Sequence, residues 1–265
     1  MSRRPLTAAL LSLYLIAAAP TPPPLEPATD HVLMLAGSWT CRTFAGTTLH
    51  RIGRRDGDLL DVAGDVQTAS GRPFAVDDRY TFDRGTRMWH VRLNAGSAAA
   101  TEGTAPPWTD ATWDIAVRGA QGIDSRVHFE LLADGSIRRS TAQPERASPG
   151  TWRPTSAELC THGDAPPAAD ACVAENFPAF TIAMGTPPAP SVSWETRGGT
   201  VVIVVNLNAQ SQVIGTHIAQ TPAPALNDYV LQTVQMSRFQ TEIRDCKPVA
   251  TDYTFSLTMR PGKQP

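Results

Sequence analysis

Short stretches of alternating apolar and polar residues, recurring about every ten positions, constrain the fold of this chain more than any other feature. Between residues 34 and 158 the apolar members keep a period of two, in the sets Tyr80 and Phe82; Trp89, Val91 and Leu93; Trp113, Ile115 and Val117; and Val127, Phe129 and Leu131. Strands that bury one face have this period. Turn-forming residues separate the sets, for example Asp83-Arg84-Gly85 and Ala133-Asp134-Gly135. The pattern predicts an antiparallel β-barrel or β-sandwich.

The opening of this segment favours the barrel. The residues Gly37-Ser38-Trp39 resemble the Gly-x-Trp motif that opens the first strand of lipocalin-like (calycin) barrels. The resemblance implies that the indole of Trp39 closes one end of the barrel. We expect Trp39, Trp89 and Trp113 to face the interior as core residues. His90 should then point outward, because it follows Trp89 in a strand.

After Gly199 the pattern changes to a β-β-α-β order. A β-branched run, Val201 to Val205, is followed by a turn and by a second strand, Val213 to Ile218. Leu226, Val230 and Val234 then recur at helical spacing. A last strand, Val249 to Met259, places Tyr253, Phe255 and Leu257 on one face. The predicted fold class is therefore mostly β, with a barrel followed by a small α+β domain.

Four short motifs in this region resemble the C-terminal domain of the TonB energy-transducer family over residues 195–260. They are Gly199-Thr200-Val201, Pro224-Ala225-Leu226-Asn227, Ser237-Arg238-Phe239 and Cys246-Lys247-Pro248-Val249. The turn departs from the family, with Gln210-Ser211 in place of Asp-Gly, and no long proline-rich spacer precedes the domain. The resemblance implies strand addition, in which the edge of the last strand binds a segment of an outer-membrane receptor. The implied binding residues are Asp252, Tyr253, Thr254, Phe255, Ser256 and Leu257.

The N-terminus predicts export. Arg3 and Arg4 precede an apolar run, Leu6 to Ala19, that is typical of a signal peptide. Pro20 disfavours cleavage after Ala19, so an uncleaved anchor in the inner membrane remains an alternative. The predicted organisation is a signal peptide or short anchor at 1–20, a linker at 21–33, the barrel at 34–158, a Pro- and Ala-rich linker containing Cys172 at 159–190, and the TonB-like domain at 191–265. The expected location is the periplasm or cell envelope.

The four cysteines predict two disulfides, because their number is even and the chain carries an export signal. Cys41 and Cys160 flank the barrel segment, whereas Cys172 and Cys246 flank the TonB-like segment. Pairing within each domain is therefore expected: Cys41 with Cys160, and Cys172 with Cys246.

The sequence predicts no enzyme, no cofactor and no metal site. It has no nucleophile elbow, HExxH, P-loop or dinucleotide-binding motif, and its cysteines lack metal-ligand spacing. His90 and His128 lie in strand patterns without a ligand motif, and Asp77, Asp78 and Asp83 are interpreted as turn residues. A net charge of -2 without a basic run argues against nucleic-acid binding.

Two functional hypotheses follow. The first is a TonB-like envelope protein that engages a partner, such as an outer-membrane receptor segment, through a sheet edge and serves energy transduction or transport. The alternative is a periplasmic small-molecule-binding protein, in which the barrel holds an apolar ligand and the C-terminal domain only forms a homodimer.

Overall fold

A ten-stranded antiparallel β-barrel forms the first part of the structure, a computed structural model that describes residues 30–46, 48–66, 74–95, 100–119, 124–145, 150–188 and 199–259. Its strands are β1 (Gly37–Thr43), β2 (Thr48–Asp56), β3 (Leu59–Val66), β4 (Phe74–Asp83), β5 (Met88–Ala95), β6 (Thr101–Ala105), β7 (Thr112–Gly119), β8 (Asp124–Leu131), β9 (Ile137–Pro144) and β10 (Trp152–His162). Each strand pairs with the next along the chain, and β10 pairs with β1 to close the barrel. Lipocalin barrels have eight strands, so the observed barrel is larger than the one that the resemblance implies.

The alternating pattern positions the barrel core as expected. In β7 the side chains of Trp113, Ile115 and Val117 are buried, while those between them are exposed. Trp39 and Trp89 lie in the same core. Apolar side chains from all around the barrel therefore fill its interior, because the period of two turns every second residue inward.

The barrel is fastened at its closing seam and plugged at one end. Cys41 lies opposite Cys160 across the β1–β10 pair, and the two are joined by a disulfide. A short 3-10 helix, His31–Leu35, packs Val32 and Leu35 into the barrel core. The carboxylate of Asp30 holds this helix, since it accepts hydrogen bonds from the backbone N–H of Val32 (3.1 Å) and from Nε1 of Trp89 (2.8 Å). Part of the predicted 21–33 linker thus belongs to the barrel.

The C-terminal part contains the predicted β-β-α-β order. β12 (Gly199–Leu207) and β13 (Val213–Gln220) form a hairpin, a 3-10 turn at Pro224–Leu226 leads into α1 (Asn227–Met236), and β17 (Thr251–Met259) completes a three-stranded antiparallel sheet in the order β13-β12-β17. Leu226, Val230 and Val234 of the helical segment pack on the inward side chains of β12. Among the described residues, no helix combines the length and apolarity that crossing a membrane requires.

Short strands that the sequence pattern did not predict lie between α1 and β17. β14 (Arg238–Gln240) pairs with β11 (Phe180–Ala183), and β15 (Glu242–Arg244) forms a hairpin with β16 (Lys247–Val249). The turn of that hairpin is Asp245-Cys246, and both residues have positive φ (49° and 62°). Positive φ at both central residues gives a two-residue turn a backbone twist that matches the twist of its flanking strands. The turn also presents Cys246 to Cys172, to which it is bonded.

The predicted linker at 159–190 is folded for most of its length. β10 continues to His162, beyond the expected barrel end at 158. Besides the barrel core and the core between α1 and its sheet, there is a third apolar cluster. It joins the outer surface of the barrel, the segment after β10 and the β15–β16 hairpin. Its buried members are Ala157, Leu159, Val173, Ala174, Phe177 and Ile243. Phe177 and Ile243 also exchange backbone hydrogen bonds of 3.0 and 2.8 Å. The apolar stretch that begins at Phe177 therefore fastens the barrel to the C-terminal part.

Candidate binding surfaces

A small cavity lies inside the barrel, next to its apolar core. The cavity bounded by Trp39, Tyr80, Phe129 and the side chains around them has a volume of about 30 Å³. A space of this size holds one or two water molecules, whereas pockets for small molecules measure about 300–1,000 Å³. This cavity is therefore smaller than a pocket for the apolar ligand of the alternative hypothesis would be.

Two arginines and two carboxylates form a buried charge cluster beside this cavity, consisting of Arg51, Asp78, Arg139 and Glu158. Arg51 bridges both acids, with Nη1 3.0 Å from Asp78 Oδ2 and Nη2 2.9 Å from Glu158 Oε1. Arg139 lies 3.0 Å from Glu158 and 3.6 Å from Asp78. The four side chains are at most 17% exposed. Because the two positive charges balance the two negative ones, the core carries no net charge there.

The electrostatics of the charge cluster suit a structural role. Burial by itself would raise the pKa of Glu158, but Arg51 and Arg139 act in the opposite direction, and the pKa lies below its ordinary value. Burial would likewise lower the pKa of Arg139, but Asp78 and Glu158 raise it above its ordinary value. The nearby Tyr80 has a raised pKa, chiefly because it is buried. These shifts keep Glu158 ionised, Arg139 protonated and Tyr80 neutral at neutral pH.

The interpretation of Asp78 as a turn residue is wrong. Asp78 lies in the middle of β4 and points inward. Asp77 is exposed on the same strand. Asp83 does act in a turn, where it accepts hydrogen bonds from the backbone N–H of Gly85 (2.8 Å) and the hydroxyl of Thr86 (2.8 Å). These hydrogen bonds lower the pKa of Asp83, and the one from the Thr86 hydroxyl contributes most.

Both candidate histidines lie on the outside of the barrel. The side chain of His90 is 56% exposed and its Nε2 is 3.8 Å from Asp83. His128 is 38% exposed and its Nδ1 is 3.1 Å from Asp114. Among the described residues, Cys41, Cys160 and Glu158 bring three potential metal ligands together. The two sulfur atoms are bonded to each other, so they supply no thiolate to a metal.

The last strand, β17, occupies one end of the C-terminal sheet. It pairs with β12 along its whole length, from Thr251 opposite Leu207 to Met259 opposite Gly199. No other strand of the described chain pairs with it. Phe255 is buried under α1, and the predicted face residues Tyr253 and Leu257 are half-buried beside it. The other predicted binding residues, Asp252, Thr254 and Ser256, are exposed on the opposite face.

A groove of about 670 Å³ lies at the start of β17, and we call it the β17 groove. Proline and aromatic side chains line much of the groove. They come from the ends of β9 and β10, from the segment after β10 and from the C-terminal part, and they are Pro144, Pro154, Phe177, Pro178, Phe180 and Tyr253. The hydroxyl groups of Tyr253 and Thr181 lie 3.2 Å apart and fix the tyrosine at the wall. Glu145 and Arg153 supply one charge of each sign. The groove therefore offers apolar contacts next to an unpaired strand edge.

The comparisons with known proteins do not narrow the assignment further. A scan of the sequence against protein-family models gives no match, and a search of the curated proteins finds no match either. The two disulfides, Cys41–Cys160 and Cys172–Cys246, are those expected from pairing within each domain and are consistent with an oxidising, exported compartment. The predicted signal peptide lies outside the described residues. The geometry of the edge and its groove is thus the basis for a functional assignment.

Proposed function

We propose that this protein is a cell-envelope interaction protein that binds an extended segment of a partner along the free edge of β17. The observation that carries the proposal is the position of β17, a nine-residue strand at the end of a sheet, paired on one side and with no strand of the described chain on the other. Unpaired backbone N–H and C=O groups on such an edge are a template for another strand.

Packing behind β17 supports the proposal, because strand addition needs a rigid edge. Phe255 is buried against Phe239 and α1, so the strand is held from one face. On the other face, Asn206 donates to Asp252 (2.6 Å) and the hydroxyl groups of Thr200 and Thr258 are 2.9 Å apart. An ordered edge binds a partner at a smaller entropic cost than a flexible one.

The partner that we propose is an outer-membrane receptor segment, by resemblance to the TonB family. Backbone pairing along β17 would provide affinity, and the β17 groove would select apolar or proline side chains at one end of the segment. In this proposal the barrel is a rigid platform, since apolar side chains pack together in its core and one of its ends forms a wall of the groove. Coupling to energy transduction or transport is part of the same proposal.

The test compares proline with valine at Thr254 in the full chain. Proline removes the backbone N–H, while valine keeps it, and the Thr254 side chain is exposed in either case. Immobilised peptides from the N-terminal regions of outer-membrane receptors serve as probes. We expect Thr254→Val to bind like the wild type and Thr254→Pro to lose binding while it retains the cooperative unfolding of the native fold.

If Thr254→Pro does not fold, the N–H of residue 254 points to β12, and the outward N–H groups are then those of the odd-numbered positions. Leu257→Pro, compared with Leu257→Val, then replaces the first pair. The proposal would be overturned if the proline variant that folds, Thr254→Pro or Leu257→Pro, still binds the peptide. Loss of a dimer, rather than loss of peptide, in the proline variant would assign the edge to self-association.

A further inference from the structure

A second groove, of about 810 Å³, lies on the other side of the C-terminal sheet, and we call it the β13 groove. Two runs of consecutive residues line it, Gln210–Thr216 and Ser237–Gln240. Successive side chains of a strand point to opposite faces. A groove lined by consecutive residues therefore runs along the edges of strands rather than over a face.

The two strands that contribute to these runs, β13 and β14, each have a free edge. In the described chain β13 pairs with β12 alone, and β14 pairs with β11 alone. The backbone N–H of Thr241 donates to Ser211 Oγ (2.9 Å), which joins the two walls at one place. The β13 groove is thus a space bordered by two unpaired strand edges, and an extended chain placed in it meets backbone donors and acceptors.

Exposed apolar side chains concentrate around this groove. Ile214 is 67% exposed and Val213 is 36% exposed. The register between β12 and β13 passes from Asn206–Gly215 to Leu207–Val213, so Ile214 is the extra residue of a bulge. Met236, at the end of α1, and Met184, next to Gly185 that contacts Met236, are also more than half exposed. Large apolar residues exposed together mark a binding surface.

The charge of the groove indicates which charge its partner carries. Arg238 is the one charged residue among those that line the groove, and the other lining side chains are neutral amides, hydroxyls and apolar groups. Arg238 is exposed and forms no ion pair with any of the described residues. A guanidinium group at the end of an otherwise neutral, partly apolar groove is complementary to a carboxylate on an apolar strand.

We propose that the β13 groove binds an extended, apolar segment of a second protein, which adds as a strand to β13 and places a carboxylate against Arg238. Ile214, Val213 and Met236 contact its apolar side chains. Because β13 and β17 are the opposite ends of one three-stranded sheet, the domain holds two strands at once, with β12 between them. This site depends on residues that the β17 site does not use.

The test measures binding of a fluorescein-labelled ten-residue peptide, in which valine and threonine alternate around one central aspartate, to the full chain by fluorescence anisotropy. We expect saturable binding that Ile214→Lys and Arg238→Glu each weaken at least about tenfold. Ile52→Lys is the matched control, because Ile52 is 49% exposed on the barrel strand β2. It should leave binding unchanged, and a peptide with lysine in place of aspartate should bind about tenfold more weakly than the aspartate peptide.

Three results would overturn the proposal. They are absence of saturable binding, equal effects of Ile214→Lys and Ile52→Lys, and conversion of a dimer to a monomer by Ile214→Lys, which would assign the groove to a second copy of the chain. Thr254→Val and Thr254→Pro should not change binding of this peptide, provided that the variant folds. Failure at the β13 groove is therefore distinguishable from failure at β17.

Discussion

Replacement of Phe177 by alanine tests whether the segment after β10 fastens the two parts of the protein together. Phe177 is 3% exposed, and its ring lies 4.8 Å from that of Phe44 on the barrel and 5.3 Å from that of Phe180. Loss of the buried ring removes about 2–3 kcal/mol of transfer free energy. Roughly 100 Å³ of unfilled volume adds about 2 kcal/mol. The expected loss is about 4 kcal/mol in the free energy of unfolding.

Thermal unfolding followed by calorimetry measures this effect. For a chain of this size, about 4 kcal/mol lowers Tm by about 8–16 °C. The wild type should unfold in one transition, since the third cluster contains residues of both parts. Met184→Ala is the control, because Met184 is in the same stretch but 58% exposed, and it should change stability by no more than about 0.5 kcal/mol. A loss below about 1 kcal/mol for Phe177→Ala, or two separate wild-type transitions, would refute the reasoning and restore a linker between independent domains.

Two further predictions concern the barrel. Glu158→Gln should cost about 3–5 kcal/mol, because it leaves buried positive charge uncompensated. The folded-state pKa of Glu158 is depressed, so its ionised form stabilises the fold above pH 4.5, the ordinary pKa value, and this contribution is lost as the pH falls through the folded pKa. Urea titrations between pH 7 and pH 3 should therefore show a weaker pH dependence of stability in the variant than in the wild type. An unchanged pH dependence would contradict the assignment. Removing the Cys41–Cys160 disulfide, by replacing both residues with alanine, should lower the free energy of unfolding by about 4–5 kcal/mol in the loop-entropy model for its separation of 119 residues. A shift of the urea midpoint that corresponds to less than about 1 kcal/mol would show that the seam is held without it.

Strands with a clear alternation were predictable because each carries its own signal. Trp113, Ile115 and Val117 alternate with polar residues, and this local period identifies both the strand and its buried face. The helix was predictable in the same way, from the spacing of Leu226, Val230 and Val234. In each case the information lies within ten residues.

The charge cluster could not be predicted in this way, because its members come from four strands that meet only when the barrel closes. A signal was present, however. Asp78 lies in phase with Val76, Tyr80 and Phe82, which all point inward from β4. A charged residue in the inward phase of a strand indicates a buried ion pair, because a buried charge needs a partner. Its interpretation as a turn residue followed from composition rather than from phase.

The packing of the segment after β10 could not be predicted, for a related reason. Its many alanine, proline and aspartate residues are typical of a linker, and they obscure the apolar Val173 and Phe177. The partner of Phe177 in the C-terminal part is Ile243, 66 positions later in the chain. Contacts at such a separation leave no local pattern. The β13 groove was missed likewise, since both of its walls are defined by the tertiary arrangement of strands.

Amide hydrogen exchange along β17 shows whether a partner strand pairs with the free edge of this strand. The full chain is measured alone and with a receptor peptide that it captures, by NMR or by mass spectrometry with overlapping fragments. We expect every second amide between Thr251 and Met259 to become protected on binding, because strand addition pairs the outward N–H groups and leaves those already bonded to β12 unchanged. Peptide binding that leaves the exchange of these amides unaltered would contradict the claim that the edge of β17 is the binding site.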